Sequence, residues 1–366
     1  MNTAVALAHD LVRIDTVRGG ESGAARLVAE RFTAAGIDFE LHELAAGREG
    51  LIARLPCRYP DRPALCPTGH LDTVGRGTQP WSCDPLGGQI DGDRLWGRGS
   101  SDMKGGVAAM VVALEAIATS ALVRPVVLAR CASEESGAEG AAQLAGHLGA
   151  VGAIVVGEPT GGRVAIAHKG VAWLRLQCHG KAAHASTPHL GSHAIAAMAS
   201  AIERLTNLRL DADSHPQLGP PTFNVGTIRG GDAPNVVPDQ CEATIDVRLV
   251  PGFDPDAALA SVRDAVGDSV DVSVVLALPA VHSSPQDPWL QTVIRQAGGV
   301  PFGVSYFTDA SVLAPALGNP PVAVVGPGDP NLAHQVDEWR SIAAIARAAQ
   351  LYKQLAIAWA TAEGKT

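Results

Sequence analysis

The run from Pro67 to Gly106 opens with Gly69-His70-Leu71-Asp72-Thr73-Val74 and closes with Gly97-Arg98-Gly99-Ser100-Ser101-Asp102-Met103-Lys104-Gly105-Gly106. Two apolar stretches precede it, Leu51–Leu55 and Ala64–Cys66, and both read as strands. The second delivers His70 to a strand end. Side chains two apart on a strand point to the same face, so His70 and Asp72 project together. That pair suits an imidazole that ligates a metal while a neighbouring carboxylate orients it. Asp102 lies in a glycine-flanked turn ahead of an apolar helix expected over Met103–Ser120. A carboxylate there can reach a cleft without entering the core.

Working outward, two amphipathic helices (about Thr3–Ile14 and Glu21–Ala35) and a strand (Asp38–Glu43) come before this run. Strands Arg124–Ser133 and Ala153–Gly157 follow it, with a helix Ala138–Leu148 between them. Such alternation predicts an α/β domain with a central mixed sheet flanked by helices. Ligands of such sheets bind at the carboxyl ends of the strands, where His70, Glu134-Glu135 and Glu158 fall. From Gly170 the pattern changes to strand Val171–Cys178, helix Ser192–Leu205, strands Thr222–Ile228 and Cys241–Leu249, helix Asp256–Val266 and strand Asp271–Leu278. The order βαββαβ is that of a ferredoxin-like unit. Beyond Pro279 the α/β character returns, with a helix Pro288–Gln296, a strand around Val304–Phe307, a helix Ala310–Leu317, a strand Pro321–Val325 and a closing helix Asp337–Ala360. The expected organisation is therefore a discontinuous domain, 1–170 with 280–366, into which a lid of residues 171–279 is inserted.

At 366 residues, with 46% hydrophobic and 18% charged residues, the chain has the composition of a well-cored protein of about two domains. A net charge of −9 and no long basic run argue against nucleic acid as a partner. Six scattered cysteines without a CxxC pair indicate reduced thiols and a cytoplasmic setting. The amino-terminal segment reads as a surface helix and not a signal peptide, and no apolar stretch reaches membrane-spanning length.

The chemistry-bearing candidates are His70, Asp72, Asp102, Glu134, Glu135, Glu158 and His334. Two imidazoles among several carboxylates suit divalent ions, zinc first, and their number suits a pair of ions sharing a bridging carboxylate. Adjacent side chains at a strand end diverge, so the simplest division of Glu134 and Glu135 is one ligand and one general base. Each residue also has a bland reading: a surface histidine, a solvated acid before a helix, a turn residue before Pro159. What outweighs those readings is coincidence, because separate strand ends and loops supply metal-type side chains to one cleft. The HExxH, GxSxG and Walker patterns are missing.

At these residues the chain resembles the co-catalytic di-zinc amidohydrolases and peptidases that include acetylornithine deacetylase, succinyl-diaminopimelate desuccinylase, aminoacylases and the glutamate carboxypeptidases. The matching stretches are GHLDTV (69–74), GRGSSDMKGG (97–106), ASEESGAEG (132–140), VGEPT (156–160), GGDAPNVVPD (230–239) and AHQVDEW (333–339). The resemblance implies that His70 and Glu158 hold one metal, that Glu135 and His334 hold the other, and that Asp102 bridges. It implies Asp72 as the residue orienting His70, Glu134 as the base, and a cis peptide after Asp102. It also implies a lid that makes a homodimer, with His184 reaching a partner's site to steady the oxyanion. Asn235 and Arg248 resemble positions that hold a substrate carboxylate, a role suited to a planar guanidinium. Where the desuccinylase and carboxypeptidase branches tend to have two glycines, this chain has Tyr306-Phe307 before Thr308-Asp309. That pattern is closer to the acetylornithine and acetyl-lysine deacetylases. The expected function is thus deacylation of a small N-acyl amino acid using two Zn²⁺, with Co²⁺ as a substitute. The alternatives are a dipeptidase or carboxypeptidase, a desuccinylase, and a non-catalytic binding protein on the same fold.

Overall fold

A computed structural model describes residues 3–17 and 19–362 and divides into two compact units. One unit comprises the chain up to Ala167, His282–Gly303 and the chain from Thr308 onward; the other comprises His168–Val281 with Val304–Phe307.

The first unit begins with α1 (Thr3–Val12), which buries Ala4, Leu7, Ala8 and Leu11, a helical stripe. Helix α2 (Glu21–Ala35) ends at Gly36, whose left-handed φ of 65° lets its N–H close on Thr33. Strands β1 (Asp38–Ala45), β2 (Arg48–Arg54), β3 (Ala64–His70), β4 (Ile90–Asp91) and β5 (Arg94–Trp96) follow. Next come α3 (Gly105–Glu115), β6 (Val127–Cys131), α4 (Glu139–Ala145), β7 (Val151–Val156) and β8 (Ala165–His168). All residues of β3 and β6 are buried, marking central strands, whereas β1 has no fully buried residue, as befits an edge.

The second unit contains β9 (Gly170–His179), α5 (Ala194–Thr206), β10 (Thr222–Gly230), β11 (Gln240–Leu249), α6 (Pro255–Val266) and β12 (Asp271–Leu278). The sheet order β10-β11-β9-β12 is antiparallel throughout, the arrangement of a ferredoxin-like unit. Alternate residues of β11 (Cys241, Ala243, Ile245, Val247, Leu249) are buried and form one core with Met198 and Leu205 of α5 and Val262 of α6. Asp254 caps α6 by accepting a hydrogen bond from the Ala257 N–H at 2.8 Å.

The chain returns to the first unit with β13 (Val281–His282), α7 (Pro288–Ala297), β14 (Phe302–Val304), α8 (Ala310–Ala316), β15 (Val322–Val324), β16 (Trp339–Ser341) and α9 (Ile342–Ala360). The large sheet runs β1-β2-β6-β3-β7-β15-β8-β13. Strands β6, β3, β7 and β15 are mutually parallel, β2 and β8 run antiparallel to them, and β1 pairs antiparallel with β2. The expected mixed sheet flanked by helices is therefore present. Four neighbouring parallel strands present their carboxyl ends together.

Local differences have local causes. The helix expected from Met103 starts at Gly105, because Asp102 and Met103 hold non-helical dihedrals and the Asp102–Met103 peptide is cis. The closing helix starts at Ile342, not Asp337. Trp339–Ser341 instead pairs with β5, and the Ser341 hydroxyl caps the helix by accepting from the Ala344 N–H. The strand expected at Val304–Phe307 lies at Phe302–Val304. No described helix is long and apolar enough to cross a membrane.

Candidate metal centre

The acids and imidazoles gather where the parallel strands end. His70 closes β3, Glu134 and Glu135 follow β6, Glu158 follows β7, and His334 lies in the loop beyond β15. Asp102 comes from the turn before α3. Glycines let the supporting loops close up: a Cβ at Gly326 would lie 2.0 Å from the Gly157 carbonyl oxygen, and one at Gly106 would lie 2.5 Å from the same atom.

His70 is buried, and its Nδ1–H donates to the Asp72 main-chain carbonyl at 2.9 Å. Nδ1 therefore carries the proton, and Nε2 offers a lone pair in the neutral ring. The Asp72 carboxylate stands 3.5 Å from the ring and spends its oxygens on the N–H groups of Glu134 (3.1 Å) and Glu135 (3.0 Å). Asp72 thus positions the imidazole through its backbone and the two glutamates through its side chain. Ser133, just ahead of that turn, is left-handed at φ 67°.

Asp102 stands between the histidines. One carboxylate oxygen is 3.3 Å from His70 Nε2 and the other is 3.4 Å from His334 Nε2. Glu158 Oε1 lies 3.5 Å from His70 Nε2, and Glu135 lies 3.1 Å from His334 Nε2. His70, Glu134 and Glu158 offer ligand atoms within 4.8 Å of one another, as do His70, Asp102 and Glu135.

The electrostatics demand cations here. Burial pushes the Glu158 carboxyl up to about 8 and holds Glu134 well above its ordinary value, with neighbouring acids adding to both. Glu135 is also raised, again chiefly by burial. The Asp102 and Glu135 carboxylates raise His334 to about 10. Burial opposes a charge on His70, but Glu158, Asp102 and Asp72 together carry it well above normal. Glu158 Oε1 has no hydrogen-bond partner. Zinc bonds of about 2.0–2.2 Å give tetrahedral edges of roughly 3.3–3.6 Å, and the spacings above lie in or near that range. The residues fit a pair of divalent ions sharing Asp102.

One residue of the surroundings went unassigned in the sequence. Glu338 is fully buried and pairs with Arg98 at 2.7 Å. It also accepts hydrogen bonds from the N–H groups of Gly99 (3.1 Å), Ser101 (2.8 Å) and Asp102 (3.0 Å). It clamps the turn that presents Asp102. A glutamate beside the AHQVD stretch was visible, but its partners lie more than two hundred residues upstream.

His184, Asn235 and Arg248 belong to the second unit. The His184 ring is exposed, and Nδ1 accepts from the Ser186 N–H at 3.1 Å with the Ser186 hydroxyl at 2.7 Å. A backbone N–H can only donate, so Nδ1 is the acceptor and the proton of the neutral ring sits on Nε2. Asn235 is exposed, and its carbonyl accepts from the Ala185 N–H. Arg248 pairs with Asp246 at 2.9 Å through both Nε and Nη2.

Carboxylates and imidazoles at the carboxyl ends of a parallel sheet, with a buried acid beside them, define a metal-dependent hydrolase. The chain belongs to the M20 family of metallopeptidases and amidohydrolases. Residues 166–271 match that family's peptidase dimerisation domain. The chain is 30% identical over 318 residues to an acetylornithine deacetylase of Aliivibrio salmonicida, a match spanning 83% of this chain and 82% of that one. It is 28% identical over 377 residues to a probable succinyl-diaminopimelate desuccinylase of Staphylococcus aureus, covering 92% of each. The fold is shared with the Bacillus subtilis YXEP protein, a dinuclear metal-binding M20 peptidase. That likeness has a TM-score of 0.73 at 17% identity over 98% of this chain and 97% of that one. The protein is a metal-dependent hydrolase acting on amides.

Proposed function

We propose that this enzyme removes the acyl group from a small N-acyl amino acid, with His70 and Glu158 holding one divalent ion, Glu135 and His334 a second, and Asp102 bridging. Zn²⁺ is the native metal in this reading, and Co²⁺ a working substitute. The observation that carries it is the placement of Asp102, one oxygen toward each histidine. Bound ions supply Lewis acidity, polarising the scissile carbonyl and acidifying water.

The chain's own groups do the rest. Glu134 is buried beside His70, and its raised carboxyl is suited to taking a proton from water and passing it to the leaving amine. Asp72 keeps the His70 tautomer and the 134–135 turn in place. His184, with its ring proton on Nε2, is the donor to the developing oxyanion. Arg248, already held flat by Asp246, and Asn235 receive the substrate carboxylate. The matched dimerisation domain supports a homodimer, and in this reading His184 serves the partner's site. The six free cysteines support a cytoplasmic setting.

The Tyr306-Phe307-Thr308-Asp309 segment and the deacetylase relative favour deacetylation. The desuccinylase relative and the peptidase fold neighbour keep desuccinylation and exopeptidase action as the second reading. The deciding experiment screens the metal-loaded protein against N-acetyl-ornithine, other N-acetyl-amino acids, N-succinyl-diaminopimelate and dipeptides. The proposal expects the highest kcat/KM on an N-acetyl-amino acid. A dipeptide preferred over every acylated amino acid would overturn it.

A further inference from the structure

The first unit has a second concavity of about 530 Å³, well within the size of ligand clefts, made by α9, the carboxyl end of α7 and the backs of two loops. Its polar lining is Arg340, Arg347, Gln296, Gln350, Gln354 and Tyr352, and no acid lines it. Arg26, Arg31, Arg48, Arg54, Arg76 and Arg98 each face a carboxylate within 3.1 Å. Among the described residues Arg340 and Arg347, like several other arginines, have no such partner; what sets Arg340 apart in this cleft is that its Nε is shut off from solvent without an acceptor.

The nearby acids are committed elsewhere. Asp93 accepts from the Ser341 hydroxyl (2.6 Å) and the Ala343 N–H (2.9 Å), and Asp329 accepts from the Asn331 N–H and side-chain amide. Burial and the neighbouring Arg347 both weaken the hold of Arg340 on its proton, although Asp329 and Asp93 act the other way. Two guanidiniums lining one cleft, one with an orphaned donor, call for an external anion. Ala297, Ala344, Ala348 and Leu351 add an apolar wall for a short carbon chain.

We propose that this cleft binds a small doubly charged oxyanion, a phosphate or a dicarboxylate, between Arg340 and Arg347. Guanidinium forks match both headgroups in geometry and charge. The floor of the cleft gives the site a connection to the metal loops. Gly161 and Gly162 line it, and their N–H groups donate to the carbonyls of Gly328 (2.6 Å) and Gly326 (2.8 Å). The same turn carries Glu158, three residues before Gly161.

The test is calorimetric titration of the full-length protein with inorganic phosphate and, separately, with succinate at constant ionic strength, before and after removing metal by chelation. At least one anion should bind saturably, and its binding should survive chelation. Arg347→Gln and Arg340→Gln should each weaken it by about tenfold or more, the scale of a lost charge-assisted pair, and Arg347→Lys should weaken it less. The tighter anion identifies the headgroup. Arg347 is exposed, so its variants keep the fold, which circular dichroism verifies. The proposal fails if neither anion saturates at tens of millimolar, if chelation abolishes binding, or if both glutamine variants bind like the parent.

Discussion

Glu338→Gln alters a single group and disturbs four contacts. The carboxylate takes the Ser101 and Asp102 N–H groups on one oxygen, and the Gly99 N–H and Arg98 on the other. A glutamine can offer an oxygen to one pair only, and its NH₂ then faces the donors of the other. The substitution also leaves the Arg98 guanidinium, buried like Glu338, without its counter-charge. Removing one partner of a buried ion pair costs about 3–5 kcal/mol, or roughly two to nearly four decades in the unfolding equilibrium. Urea unfolding of metal-stripped protein at pH 7, followed on the transition of the unit that carries the change, measures this directly. Chelator competition should show metal affinity lowered by roughly 10–100-fold, the usual effect of losing a group that positions a ligand. A variant within about 0.5 kcal/mol of the parent, the range of an ordinary surface change, with unchanged metal affinity, would refute the clamp.

Glu134→Gln should keep its metal but lose about 10²–10⁴-fold in kcat, the range of general acid–base catalysis. Glu135→Gln should instead lose metal, and elemental analysis showing the reverse would exchange their roles. His168 is buried, and burial lowers its ring to about 4. The unfolded chain therefore binds the extra proton between pH 6.5 and 4, so this group's contribution is fully present above 6.5 and is lost as pH falls toward 4. The shift corresponds to about 3 kcal/mol. His168→Gln should flatten that part of the stability–pH curve relative to the parent, and identical slopes would contradict the assignment.

The large sheet and the inserted unit were legible because their signals are local. Alternating burial along β11 and continuous burial along β3 follow from apolar patterns in single segments. Most of the acid and histidine cluster was legible for a related reason, since its residues directly follow apolar strand runs. The small sheet of β4, β5 and β16 was not, because strands of two or three residues carry no period. Glu338 escaped because its meaning lies in backbone N–H groups far away in the chain. Asp72 was legible as a partner of His70, but not as the acceptor that sets the Glu134–Glu135 turn. The unpaired state of Arg340 and Arg347 is a property of packing alone.

The proposed bridging role of Asp102 has a direct consequence for metal stoichiometry. Its most direct test titrates metal-stripped protein with Zn²⁺, counting bound ions while following hydrolysis of an N-acetyl-amino acid. Two equivalents per chain should bind, activity should appear with them, and Asp102→Asn should lose both. Binding of a single equivalent, or full hydrolysis in the stripped protein, would contradict the claim.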